Sequence, residues 1–114
     1  MAKGDKLYLR HILDAISRIE SYVEGLDLVA FADDPLRQDG VVRQLGIVGE
    51  AVKRLSTELR KVNPQVPWRD ITGMRDRLIH DYMGVNVESV WKTVQVDLPE
   101  LQRAVSSILG SNMG

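Results

Sequence analysis

Cysteine is missing altogether, and histidine occurs only at positions 11 and 80. A disulfide framework, a thiolate nucleophile and a thiolate zinc or iron–sulfur site are therefore excluded, and a transition-metal cage would need mostly carboxylates. The chain also lacks a long apolar run. Its first residues, MAKGDKLYLRHILDAISRIE, hold no uninterrupted apolar core of signal-peptide length, and no stretch approaches the roughly 18 apolar residues of a membrane helix. The expectation is a cytoplasmic protein that neither enters nor spans a membrane. An excess of one charge is absent too: 15 Lys and Arg face 16 Asp and Glu, a formal net charge of -1. A whole-surface nucleic-acid binder is disfavoured, because such binding rests on neutralising phosphates, but a local basic cleft is not.

What is present fits one globular unit. The 114 residues are 44% hydrophobic and 27% charged, near globular averages and enough chain for one domain spanning 1–114. From Asp5 to Leu26, apolar residues at Leu9, Ile12, Leu13, Ile16, Ile19, Val23 and Leu26 keep the three-and-four spacing of one helix face, with Gly25 as its expected end. Residues 27–33 fit a single short turn. Asp34-Pro35 then offers an N-cap followed by proline at the first helical position, which predicts a long helix over 35–61. Gly40, Gly46 and Gly49 sit inside it, each costing about 1 kcal/mol relative to Ala, which suggests a second backbone approaching closely, or a kink. Asn63-Pro64-Gln65-Val66-Pro67 breaks the chain. A further helix is expected from Trp68 or Arg69 to Tyr82, with Gly84 as its stop, another from Val87 through Val94, and a last one from Asp97, bent near Pro99 and covering Leu101 to Leu109. The final GSNMG reads as a flexible tail over 110–114. With no period-2 alternation, the expected fold is an all-α, antiparallel up-and-down bundle of four to five helices.

The densest polar cluster is Arg75-Asp76-Arg77-Leu78-Ile79-His80-Asp81-Tyr82. On a helical wheel with Arg75 at zero, Asp76 falls at about 100°, His80 at about 140° and Tyr82 at about 340°. Asp76 and His80 are thus i,i+4 neighbours, placed for the carboxylate to orient the imidazole. Tyr82 stacks along the axis from Arg75. Such a set suits phosphate esters, since an Arg fork binds phosphate oxygens bidentately and a His titrating near neutrality moves protons; it requires no metal. On spacing alone the same residues also read as solvated charges, with His80 and Tyr82 at the edge of the core.

This segment resembles the Arg-x4-His-x-Tyr signature of the HepT-like toxins, members of the HEPN superfamily of helical ribonucleases. The resemblance continues through Gly49-Glu50-Ala51, Pro67-Trp68-Arg69-Asp70-Ile71, Gly73-Met74-Arg75 and Val90-Trp91 before Leu98-Pro99-Glu100-Leu101, and covers roughly residues 7–109. It implies a HEPN-like bundle that dimerises so that two motifs face one cleft. It implies a metal-independent RNA endonuclease leaving 2′,3′-cyclic phosphates, with His80 as general acid or base, Arg75 on the scissile phosphate and Asp76 in support. Asp76 stands where the family often has Asn, and it subtracts positive charge. The resemblance further implies a type II-like toxin–antitoxin pair, in which an MntA-like minimal nucleotidyltransferase transfers AMP from ATP onto Tyr82. A bulky anion beside Arg75 would block substrate phosphate.

Glu50 would line the cleft or anchor an arginine. Arg69, with Arg77 and Lys53, would add phosphate contacts or lie on a solvated face. Trp68 and Trp91 read as packing residues, and His11 as a surface or interface residue. Gly46-x-x-Gly49 lacks the Lys-Ser/Thr ending of a phosphate loop and follows no strand. No cofactor is expected. A non-catalytic helical module that binds a nucleotidyltransferase or a nucleotide is the rival reading, favoured by the net charge and Asp76; a purely structural helical dimer is a third.

Overall fold

The computed structural model describes residues 1–78 and 85–113, the side chains of Arg75, Asn112 and Met113 excepted. Helix α1, Asp5–Val23, buries Leu9, Ile12, Ile16, Ile19 and Val23, the stripe expected from the periodicity. Gly25, at φ +77°, ends it in the left-handed region where only glycine sits without strain. The single turn α2, Leu28–Ala32, is capped by Asp27, whose carboxylate accepts from the Ala30 amide at 2.8 Å. It inserts a fully buried Phe31. Helix α3, Pro35–Arg54, starts at the expected cap, with Asp34 accepting from the Arg37 amide at 3.1 Å. The Arg37 guanidinium, and then its amide, hold the Asp34 carboxyl below the usual carboxylate range.

The long helix expected over 35–61 is two helices. Leu55 and Ser56 are extended, and α4, Thr57–Val62, begins afresh. The cause lies 51 residues away: the Ser56 amide donates to Asp5 Oδ1 at 2.8 Å and its hydroxyl to Asp5 Oδ2 at 2.6 Å. Ser56 Oγ in turn accepts from the Leu59 amide at 3.1 Å, so one serine caps α4 and satisfies a carboxylate only 2% exposed. Ser56→Ala should therefore lower stability by about 1–3 kcal/mol. Asp5→Ala should cost a similar amount, and the double variant clearly less than the two together. Urea unfolding of the four proteins checks this, and additive losses would show that the two groups are not coupled.

The helix expected over 68–82 is likewise divided, into α5, Trp68–Thr72, and α6, Met74–Leu78, with Gly73 between them. The Thr72 hydroxyl donates to the Arg69 carbonyl at 2.8 Å, local competition that weakens a helix already burdened by glycine. Residues 79–84, with His80, Tyr82 and the expected stop at Gly84, lie outside the described residues. Beyond them α7, Val87–Lys92, passes through a π-helical turn, Thr93–Asp97, into α8, Leu98–Met113. That turn lies just before Pro99, where a bend is expected: proline has no amide to donate to the carbonyl four residues back, and the wider turn absorbs the mismatch. The helix continues past Leu109 to Met113.

Among the described residues the fold is all-α, without a strand. Helix α1 packs against α3 and α8, while α5 and α6 pack against α3. The core joins the α1 stripe to Val41, Leu45, Val48 and Val52 of α3 and to Val90 and Val105. No helix among the described residues is long and apolar enough to cross a membrane.

Candidate active-site cleft

Two contacts fix how α1 lies on α3. Asp5 meets Ser56 at one end, and the Tyr22 ring lies 3.3 Å from where a Cβ of Gly40 would stand at the other. The helices are therefore antiparallel, with His11 opposite Glu50 and Tyr8 opposite Lys53 and Arg54. On the other flank of α3, a Cβ on Gly49 would stand 3.3 Å from the Thr72 carbonyl oxygen and 3.4 Å from that of Ile71. This is the close backbone approach that the helical glycines suggest. At Gly40 the neighbour is an aromatic ring instead.

Between these flanks runs a cleft of about 670 Å³ whose floor is α3. Tyr8 and His11 form its α1 wall, and Thr72 and Asp76 its α5–α6 wall. Arg43, Gly46, Gly49, Glu50, Lys53 and Arg54 come from the floor. Its lining carries three cations and two carboxylates, a local balance opposite in sign to that of the whole chain. Lys53 Nζ lies 3.7 Å from Glu50 Oε1, whereas Arg43 and Arg54 have no ion-pair partner among the described residues. In a partly screened cleft these two remain available to an incoming anion.

The candidates from the sequence divide between two faces. Asp76 and Glu50 share the cleft with Lys53. Arg75 belongs to α6 beside Asp76, but its side chain, and all of His80 and Tyr82, are outside the described residues, as is any pairing of Asp76 with His80. Arg77 lines a different cavity of about 320 Å³, with Asp70, Asp97 and Glu100 at its edge, and its Nη2 donates to the Asp70 carbonyl at 2.9 Å. Arg69 is exposed and lines neither cavity among the described residues. Trp68 is buried and its Nε1 donates to the Asn63 carbonyl at 3.0 Å, while Trp91 packs on Phe31 with ring centroids 5.3 Å apart; both are packing residues. Sequence reasoning gave no cleft role to Tyr8, Arg43 or Arg54, and left His11 at a surface or interface. Among the described residues no three His, Cys, Asp or Glu side chains gather as a metal site.

A family model described as Ribonuclease HepT-like matches residues 12–108. The chain belongs to the HepT-like ribonuclease family. Among its relatives is a protein of Caldanaerobacter subterraneus subsp. tengcongensis, described provisionally as an RNase, 43% identical over 107 residues that cover 94% of this chain and 96% of the relative. A protein of Thermococcus cleftensis, described provisionally as ribonuclease HepT, is 40% identical over 102 residues, 90% of this chain and 93% of that protein. No solved structure matches the chain. As a HepT-like chain it places on the cleft wall the helix that opens the motif segment, so the cleft is the candidate active site.

Proposed function

We propose that this HepT-like chain is a cytoplasmic endoribonuclease that cuts RNA without a metal ion, as a homodimer, and is the toxin of a type II-like toxin–antitoxin pair. The observation that carries the reading is the cleft itself: Asp76 of the motif helix faces a floor where Arg43 and Arg54 stand without carboxylate partners among the described residues. In this reaction the ribose 2′-oxygen bonds to the adjoining phosphorus and the bond from phosphorus to the 5′-oxygen breaks. The products are a 2′,3′-cyclic phosphate and a free 5′-hydroxyl. His80 takes the proton from the 2′-hydroxyl or gives one to the leaving oxygen, Arg75 holds the phosphoryl oxygens as charge develops on them, and Asp76 supports the imidazole. A single chain carries one such motif beside an open groove, and a second copy would double the catalytic groups and deepen the cleft.

Tyr82 is the control point in this reading. A cognate MntA-like nucleotidyltransferase transfers AMP from ATP to the phenolic oxygen, with pyrophosphate leaving, and the new phosphodiester occupies the space and charge that substrate phosphate needs. The test is cleavage of total cellular RNA by purified protein in excess EDTA, before and after treatment with the cognate transferase and ATP, with protein mass recorded. The expected outcome is EDTA-resistant cutting that stops as one AMP is added to Tyr82. No cutting by unmodified protein would overturn the ribonuclease reading, and cutting abolished by EDTA alone would overturn metal independence.

A further inference from the structure

Tyr8 and His11 stand three residues apart on α1, with ring centroids 5.9 Å apart and planes at 83°. Tyr8 is half-buried against the core, whereas His11 is exposed. Neither the Tyr8 hydroxyl nor the His11 ring nitrogens have a hydrogen-bond partner among the described residues. The pair is thus an aromatic surface braced from below and open above, on the wall of the cleft rather than in the core. The pair and the α3 floor bound the same cleft of about 670 Å³.

Of the charges around the pair, the Glu50 carboxylate opposite His11 is matched by Lys53 at 3.7 Å, and the two arginines outnumber the remaining carboxylate, Asp76. Arg43 and Arg54 lie on one face of α3, eleven residues apart, and so bracket roughly 16 Å of cleft. The core of a protein–protein interface is depleted of charge. An aromatic surface set between unpaired cations is instead what single-stranded nucleic acid meets, its phosphates on the cations and its bases on the rings. Resting on the ribonuclease reading above, we propose that His11 is a substrate-binding residue on which one base of a single-stranded RNA stacks, with Tyr8 as the positioning residue that holds the imidazole.

The probe is a 2′-O-methyl oligonucleotide, which carries no 2′-hydroxyl and is not cut, titrated against wild-type protein and variants, with cleavage of the all-ribose form measured in parallel. His11→Ala should weaken binding about five- to hundredfold, the range of one base–aromatic stack. His11→Phe should restore affinity, whereas His11→Lys, which supplies a positive charge but no ring, should not. Tyr8→Phe should bind as wild type and Tyr8→Ala should weaken binding. An abasic site moved along the oligonucleotide should reproduce the His11→Ala loss at one position and have no effect there in the variant. Cleavage by wild type together with undiminished binding by His11→Ala would overturn the stacking role and leave the ribonuclease reading standing. His11-dependent binding without cleavage of the all-ribose RNA would do the reverse, and wild type that neither binds nor cuts would overturn both. A lower sedimentation mass for His11→Ala, with binding lost only in parallel with dissociation, would assign the pair to contact with a second copy and overturn the stacking role.

Discussion

His80→Ala should lower single-turnover RNA cleavage by about 10²–10⁴-fold, the usual contribution of a positioned acid–base group, without a change in unfolding midpoint. Arg75→Ala should cost about 10²–10³-fold, comparable to the loss of one preorganised donor from an oxyanion site. Arg75→Lys should recover only part of it, because an ammonium keeps the charge but not the two-pronged geometry of the guanidinium. The two losses should not multiply in the double variant, since both residues serve one transition state. Asp76→Asn is informative beside them. It removes a negative charge from a cleft that already holds Glu50, so RNA binding should tighten even if the imidazole is less well oriented. Cleavage that survived both His80→Ala and Arg75→Ala would sink the assignment of these two residues.

The architecture was readable wherever local chemistry decides it. The α1 stripe, the Asp34 cap and the end at Gly25 all follow from spacing and from residue types with one obvious use. The break at Ser56 does not. Leu55 and Leu59 are both buried and keep helical spacing across it, and the deciding partner, Asp5, lies at the far end of another helix. The division at Gly73 rests on a backbone that opens to φ -90° and ψ -1° there, a departure that apolar spacing across it does not announce. The cleft shows the same split. Asp76 and Glu50 stand out as polar residues in apolar helices, but Tyr8, His11 and Arg43 reach the cleft only through the α1–α3 register, which long-range contacts at Asp5 and Tyr22 set.

Gly49→Val should be the most damaging single change outside the catalytic groups. Alanine at this site would gain about 1 kcal/mol of helix propensity, yet its methyl would stand 3.3 Å from the Thr72 carbonyl oxygen, a backbone atom that moves only if α5 moves. Valine adds two further carbons with restricted rotation, and overpacking against a rigid neighbour costs about 3 kcal/mol or more. Gly110→Ala is the control: it lies in α8, and no neighbour among the described residues outside its own helix backbone comes within 4 Å of the added carbon, so it should hold or raise stability by up to about 1 kcal/mol. Unfolding followed by circular dichroism separates the two. Activity should separate them further, because α5 leads through Gly73 into the helix that carries Arg75 and Asp76. Pushing α5 off α3 shifts those residues relative to the floor of the cleft, and a displacement of about 1 Å is enough to lower a rate about 10²-fold. Gly49→Val with wild-type stability and cleavage would mean that α5 does not rest on α3 there, and the cleft would have to be redrawn.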